Sequence, residues 1–73
     1  MPLIEVKLIE EVFTPAQKQE TIARLTDALV AVGGESMRPL TYVIVEEVRS
    51  GSWGIGGQAV TTDAVHAMAA GKK

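Results

Sequence analysis

From Leu3 to Ile9 the chain reads Leu-Ile-Glu-Val-Lys-Leu-Ile. Ile4, Val6 and Leu8 alternate with Leu3, Glu5, Lys7 and Ile9. This period of two predicts a strand over residues 2–9 with one apolar face and one mixed face. The period then changes. Thr14-Pro15-Ala16-Gln17 puts Thr at an N-cap, Pro at the first helical position and Gln at the third, the spacing of a capping box. Ile22, Leu25, Leu29 and Val32 follow on one helical stripe. They predict an amphipathic helix of about 18 residues, stopped by Gly33-Gly34. Residues 40–48, rich in β-branched side chains and preceded by Pro39, predict a second strand. A strand, a helix and a strand at this spacing form a βαβ unit, whose strands run parallel with a right-handed crossover.

After the second strand the pattern breaks at Ser50. Gly51, Gly54, Gly56 and Gly57 fall within seven residues, with Trp53 and Ile55 as the only large side chains among them. Such a segment predicts a tight turn or hairpin, with a short strand over residues 58–61. Thr61 or Thr62 offers a cap for a last short helix from about Asp63 to Ala70, and Gly71-Lys72-Lys73 reads as its tail. The fold class is α+β: one domain over residues 1–73, built on a β-α-β unit with parallel strands, a Gly-rich C-terminal hairpin and a short terminal helix.

A two-stranded sheet has two faces, and one helix covers one of them. Parallel strands are usually buried on both. The chain has only 73 residues, 47% of them hydrophobic, and no Cys to form a disulfide or a thiolate metal site. Self-association is the remaining route to a full core, with an isologous dimer as its minimal unit.

Charge narrows the partners. Seven basic and nine acidic residues give a net charge of −2, and two of the basic ones are Lys72 and Lys73 at the very end. There is no basic stripe for nucleic acid. No apolar run approaches the roughly 20 residues that span a bilayer. Met1-Pro2-Leu3-Ile4-Glu5 lacks the basic-then-apolar order of a signal peptide, so a cytoplasmic location is expected.

Few groups could carry chemistry. No metal site is expected, since His66 is the only His. It falls on the terminal helix and reads as a solvated residue. Glu46 and Glu47 are adjacent on a strand and face opposite ways. Glu10-Glu11 reads as the solvated end of the first strand. The glycine segment has neither a Walker Lys nor GxGxxG spacing, which argues against a nucleotide. Pro2 stands out. With Met1 removed it presents a ring-locked secondary amine at a strand end. A free α-amino group has a pKa of about 7.7–8.0, and an apolar pocket lowers it toward neutrality, where a base can both take and return protons.

Met-Pro-Leu-Ile at the start, the capped helix, the βαβ unit and Trp53-Gly54-Ile55-Gly56-Gly57 together resemble the 4-oxalocrotonate tautomerase family over about residues 2–60. The resemblance implies β-α-β protomers whose sheets join in dimers, commonly three dimers to an assembly. It implies Pro2 as the proton-transferring base and acid of an isomerase needing no cofactor. It also implies Trp53 as an apolar pocket wall and a small-molecule substrate, an anionic keto or enol acid. Well-known members carry one Arg in the loop after the first strand and another on the second strand. Here those segments read Glu10-Glu11-Val12-Phe13 and Thr41-Tyr42-Val43-Ile44-Val45, without Arg. Arg38 and Arg49 flank the second strand; Arg49 and Tyr42 are the candidates to bind the substrate's oxygens. Two other expectations compete: a hydratase or dehalogenase of unsaturated acids using the same proline, and a non-catalytic oligomeric scaffold.

Overall fold

A computed structural model describes residues 1–71. The chain forms β1 (Leu3–Ile9), α1 (Pro15–Gly33), a 3-10 segment (Glu35–Leu40), β2 (Tyr42–Val48), a hairpin of β3 (Trp53–Ile55) and β4 (Gln58–Val60), and α2 (Thr62–Ala69). β1 and β2 pair in parallel, from Leu3 opposite Tyr42 to Ile9 opposite Val48. The expected α+β class and βαβ core are present, with the hairpin and terminal helix behind them.

Local chemistry sets the boundaries. The Thr14 side chain accepts the Gln17 amide at 3.1 Å, and the Gln17 side chain accepts the Thr14 amide at 2.9 Å, closing the capping box that starts α1. Gly34, at φ +98°, ends it. The second strand begins at Tyr42, two residues later than its sequence suggests. Pro39 sits inside the 3-10 segment, and Thr41 closes that segment by donating its hydroxyl to the Met37 carbonyl at 2.8 Å. The two residues of the β3–β4 turn, Gly56 and Gly57, have φ of +58° and +86°, as a type I′ turn requires. Thr61, of the two candidate caps, is the N-cap of α2; its side chain accepts the Ala64 amide at 3.1 Å.

α1 lies over the face carrying Ile4, Val6, Leu8, Val43 and Val45. Lys18 of α1 reaches Glu47 on this face at 3.1 Å. The buried helical residue is Val30 (8% exposed), whereas Val32 is 88% exposed. Two residues turn a helix by about 200°, so when Val30 meets the sheet Val32 points away. Of the predicted stripe, Leu25 and Leu29 are half-buried, whereas Ile22, at 38%, and Val32 are exposed.

On the opposite face, Leu3 (55%), Tyr42 (52%) and Ile44 (41%) are exposed, and Lys7 pairs with Glu46. The hairpin and α2 form an arm over the far end of this face, where Ile9 is 6% exposed. Among the described residues only Ile9 and Val30 are buried. The protomer measures 42 × 23 × 21 Å, with a radius of gyration of 14.9 Å. A compact chain of this length would have about 11 Å. The isolated protomer thus has an open sheet face and little core of its own.

Candidate active site

Pro2 is half-buried at the entrance to β1. Its carbonyl accepts the Tyr42 amide at 3.0 Å, which fixes its backbone to the start of β2. Because the strands are parallel, Pro2 and Tyr42 share one end of the sheet. Arg49 and Trp53 follow β2 at the other end, about 20 Å away at roughly 3.3 Å per residue. The four candidate residues therefore form two pairs, which one protomer does not bring together.

At the far end Trp53 is half-buried against a cleft of about 200 Å³, lined also by Leu8, Ile9, Ile55, Val65 and Met68. Arg49 stands at the base of the hairpin, its carbonyl accepting the Ser52 amide at 2.9 Å. Its side chain makes no ion pair among the described residues. Arg38, the other flanking arginine, is engaged. It donates to Glu35 at 2.6 Å and to Asp27 at 2.9 Å. The Glu35 and Asp27 carboxylates raise its pKa further, and Arg38 in turn holds the Glu35 carboxyl below its ordinary value. A second hollow, of about 210 Å³, lies against Phe13, Gln17 and Arg24, away from all four candidates. Its cation, Arg24, is paired with Glu20. No group of three His, Asp or Glu able to hold a metal occurs among the described residues.

Sequence reasoning missed the device that seats the arm. Glu10 does not simply end β1 in solvent. Its carboxylate accepts the Ser50 amide at 2.8 Å, and its carbonyl accepts the Thr62 hydroxyl at 2.7 Å. The Thr62 amide donates to the Ser50 hydroxyl at 2.9 Å. His66, read as merely solvated, is exposed, but its Nε2 lies 2.9 Å from the Glu11 carbonyl. Among the described residues Glu11 is the one non-glycine residue with positive φ, at +62°. No local pattern links residues 12 to 55 positions apart, so the sequence holds no signal for these bonds.

A proline-led β-α-β protomer with an aromatic residue at the mouth of a Gly-rich hairpin matches a known family. Residues 2–63 fit the model of tautomerase enzymes. The chain belongs to the tautomerase family. It is 38% identical over 61 residues to probable tautomerase K2 of Dickeya dadantii (strain 3937), covering 84% of this chain and 90% of that one. It is 37% identical over 62 residues to a probable tautomerase of Helicobacter pylori (strain ATCC 700392 / 26695), covering 82% and 90%. Among solved structures, DmpI from Helicobacter pylori superimposes with a TM-score of 0.72 at 36% identity, over 81% of this chain and 95% of that one. TomN, a 4-oxalocrotonate tautomerase homologue of the tomaymycin biosynthetic pathway, gives 0.73 at 28% identity, over 97% and 100%. The protein is thus a tautomerase-like isomerase with the fold of 4-oxalocrotonate tautomerase homologues. Family membership favours neither the hydratase or dehalogenase expectation nor the non-catalytic one. No described helix is long and apolar enough to cross a membrane.

Proposed function

We propose that Pro2, freed of Met1, is the general base and acid of an isomerase acting on an enol or unsaturated keto acid in the cytoplasm. The observation that carries this reading is the seat of Pro2: a half-buried ring at the end of a strand, its carbonyl tied to Tyr42, in a chain of the tautomerase family. A neutral secondary amine there takes a proton from the enol oxygen or from a carbon next to a carbonyl. The resulting prolyl ammonium returns the proton to another carbon of the conjugated system. The net change is the position of one proton and of the double bonds, with no electron acceptor and no cofactor.

The enolate oxygen formed on the way needs a cation or donor beside it. Arg49 and the Tyr42 hydroxyl are assigned that work, and Trp53 keeps water from the amine so that it stays neutral. Since Pro2 and Trp53 lie at opposite ends of one sheet, a working site takes them from different copies. The open face with Leu3, Tyr42 and Ile44 supports assembly into a homo-oligomer, a dimer or three dimers together.

The test blocks the nitrogen. Ketonisation of a 2-hydroxydienoate or of an arylpyruvate enol is compared between processed protein and protein whose Pro2 nitrogen is acylated. Loss of one acid–base group predicts a fall of at least about 10²-fold. Equal rates would remove Pro2 from the mechanism.

A further inference from the structure

The arm, residues 49–71, meets the rest of the chain at few fixed points. Among the described residues every hydrogen bond between the two ends on Glu10 or Glu11, and no ion pair crosses. Thr62 and His66 use two of these bonds to seat α2. The third, from the Ser50 amide to the Glu10 carboxylate at 2.8 Å, is the one that reaches the root of the hairpin. Glu10, Ser50 and Thr62 thus form a closed ring in which each residue bonds the other two.

Sterics leave that root free. Gly51 follows Ser50 at φ +86°, and apart from its chain neighbours no atom lies within 4 Å of where a Cβ would stand. Apolar packing does not set the angle either, because a cleft of about 200 Å³ separates Trp53 and Ile55 from Leu8 and Ile9. Within the hairpin, by contrast, the geometry is closed. The Gly51 amide donates to the Val60 carbonyl at 3.0 Å, the Ser52 amide donates to the Arg49 carbonyl at 2.9 Å, and Trp53 stands opposite Val60. Trp53 therefore moves with Ser50 as one piece.

We propose that Glu10 is a positioning residue for the active site: its carboxylate, by holding the Ser50 amide, sets the angle of the hairpin and hence the place of Trp53. The role rests on the isomerase reading above, in which Trp53 shields the Pro2 amine of another copy. Glu10 acts through Trp53 rather than on the substrate. The demand on it is steep, since a misplacement of about 1 Å in a site can cost about 10²-fold in rate.

Trp53 is the only tryptophan, so quenching of its emission by acrylamide reads its place without turnover. Three variants of Glu10 leave the backbone carbonyl that Thr62 uses. Glu10→Ala removes the acceptor. Glu10→Asp keeps the charge but draws the carboxylate back by one methylene, about 1.5 Å. Glu10→Gln keeps an acceptor oxygen at the same reach and drops the charge. Ala and Asp should raise the quenching constant at least about twofold. They should also lower kcat/KM for an arylpyruvate enol at least about tenfold, and Gln should recover most of both losses. The Lys18 amide, at the start of α1, should keep its hydrogen-exchange rate in all three. Quenching in Glu10→Ala equal to that of the wild type would overturn the proposal and mean that other contacts hold the hairpin. So would a Gln variant as impaired as Ala beside an unimpaired Asp, since charge and not reach would then matter. Faster exchange at Lys18 would overturn it as well, by showing that the substitutions loosen the whole fold. The expected order of quenching in a protein that ketonises no enol acid would uphold the Glu10 clip while refuting the isomerase reading.

Discussion

Replacing Thr62 with Val and His66 with Ala removes the two side-chain bonds that tie α2 to the end of β1. α2 has eight residues. Isolated helices shorter than about 12–15 residues are marginal, so its order must come from what it rests on. The Thr62 bond is 2.7 Å long and partly buried; Val keeps the branched shape but leaves the Glu10 carbonyl without this donor. That costs about 1 kcal/mol. The His66 bond is exposed, and its loss costs about 0.5 kcal/mol. The two sites are close enough to couple, so the pair is worth about 1–2 kcal/mol in the equilibrium that opens the arm. That corresponds to roughly five- to thirty-fold more open arm. Native-state hydrogen exchange reads this directly at Val65 and Ala70, whose amides donate to Thr61 and His66 within α2. Their exchange should quicken by that factor, while the Lys18 amide at the start of α1 keeps its rate. Unchanged exchange in α2 would show that apolar contact alone holds the arm. Equal acceleration in α1 would show that the substitutions act on the whole fold.

Two further outcomes follow from the surface. Ile44→Glu puts a carboxylate on the open sheet face, where burial against a second copy would cost at least about 2 kcal/mol, or some thirty-fold in association; light scattering should show a smaller species than the wild type, and an unchanged mass would mean that this face is not the interface. Arg38→Gln should flatten the acid end of the stability profile. Arg38 holds the Glu35 carboxyl below its ordinary 4.5 in the folded chain, so this contribution is present above about pH 4.5 and is lost as pH falls through the lower folded value. Denaturant midpoints across that range should fall less steeply in the variant, and superimposable slopes would refute the link.

The parts of the fold that could be read from the sequence are those in which cause and effect lie a few residues apart. Alternation in β1, the Thr14–Gln17 box and the Gly56-Gly57 turn are local, and the structure carries all three. The start of β2 was less legible, because Pro39 suits both a strand entrance and the 3-10 segment it occupies. The Val30 and Val32 assignment failed because both are apolar and only the sheet decides which is covered. The candidate site was legible as residue types more than as geometry. Pro2 and Trp53 were both selected from sequence, and a parallel crossover already implies that a residue opening β1 and one following β2 lie at opposite ends. That Arg38 is engaged and Arg49 is not depends on where Asp27 and Glu35 point, which no spacing rule supplies.

The separation of the two pairs gives the poor core of the protomer a reason. A protomer with its own full core and closed sheet faces would have no need of a second copy and, on the proposed reading, no route to a complete site. On the proposed reading, the same exposed residues that leave the isolated chain with little core, Leu3 and Tyr42 beside Pro2 and Ile44 further along, are the ones a second copy would cover. On that reading, burying them would remove water from around the Pro2 amine as another chain's Trp53 reaches it. Assembly would then supply folding energy, desolvation of the proposed base and the opposing wall in a single event. Catalysis and oligomeric state should therefore be lost together upon dilution, with no active monomer at any concentration.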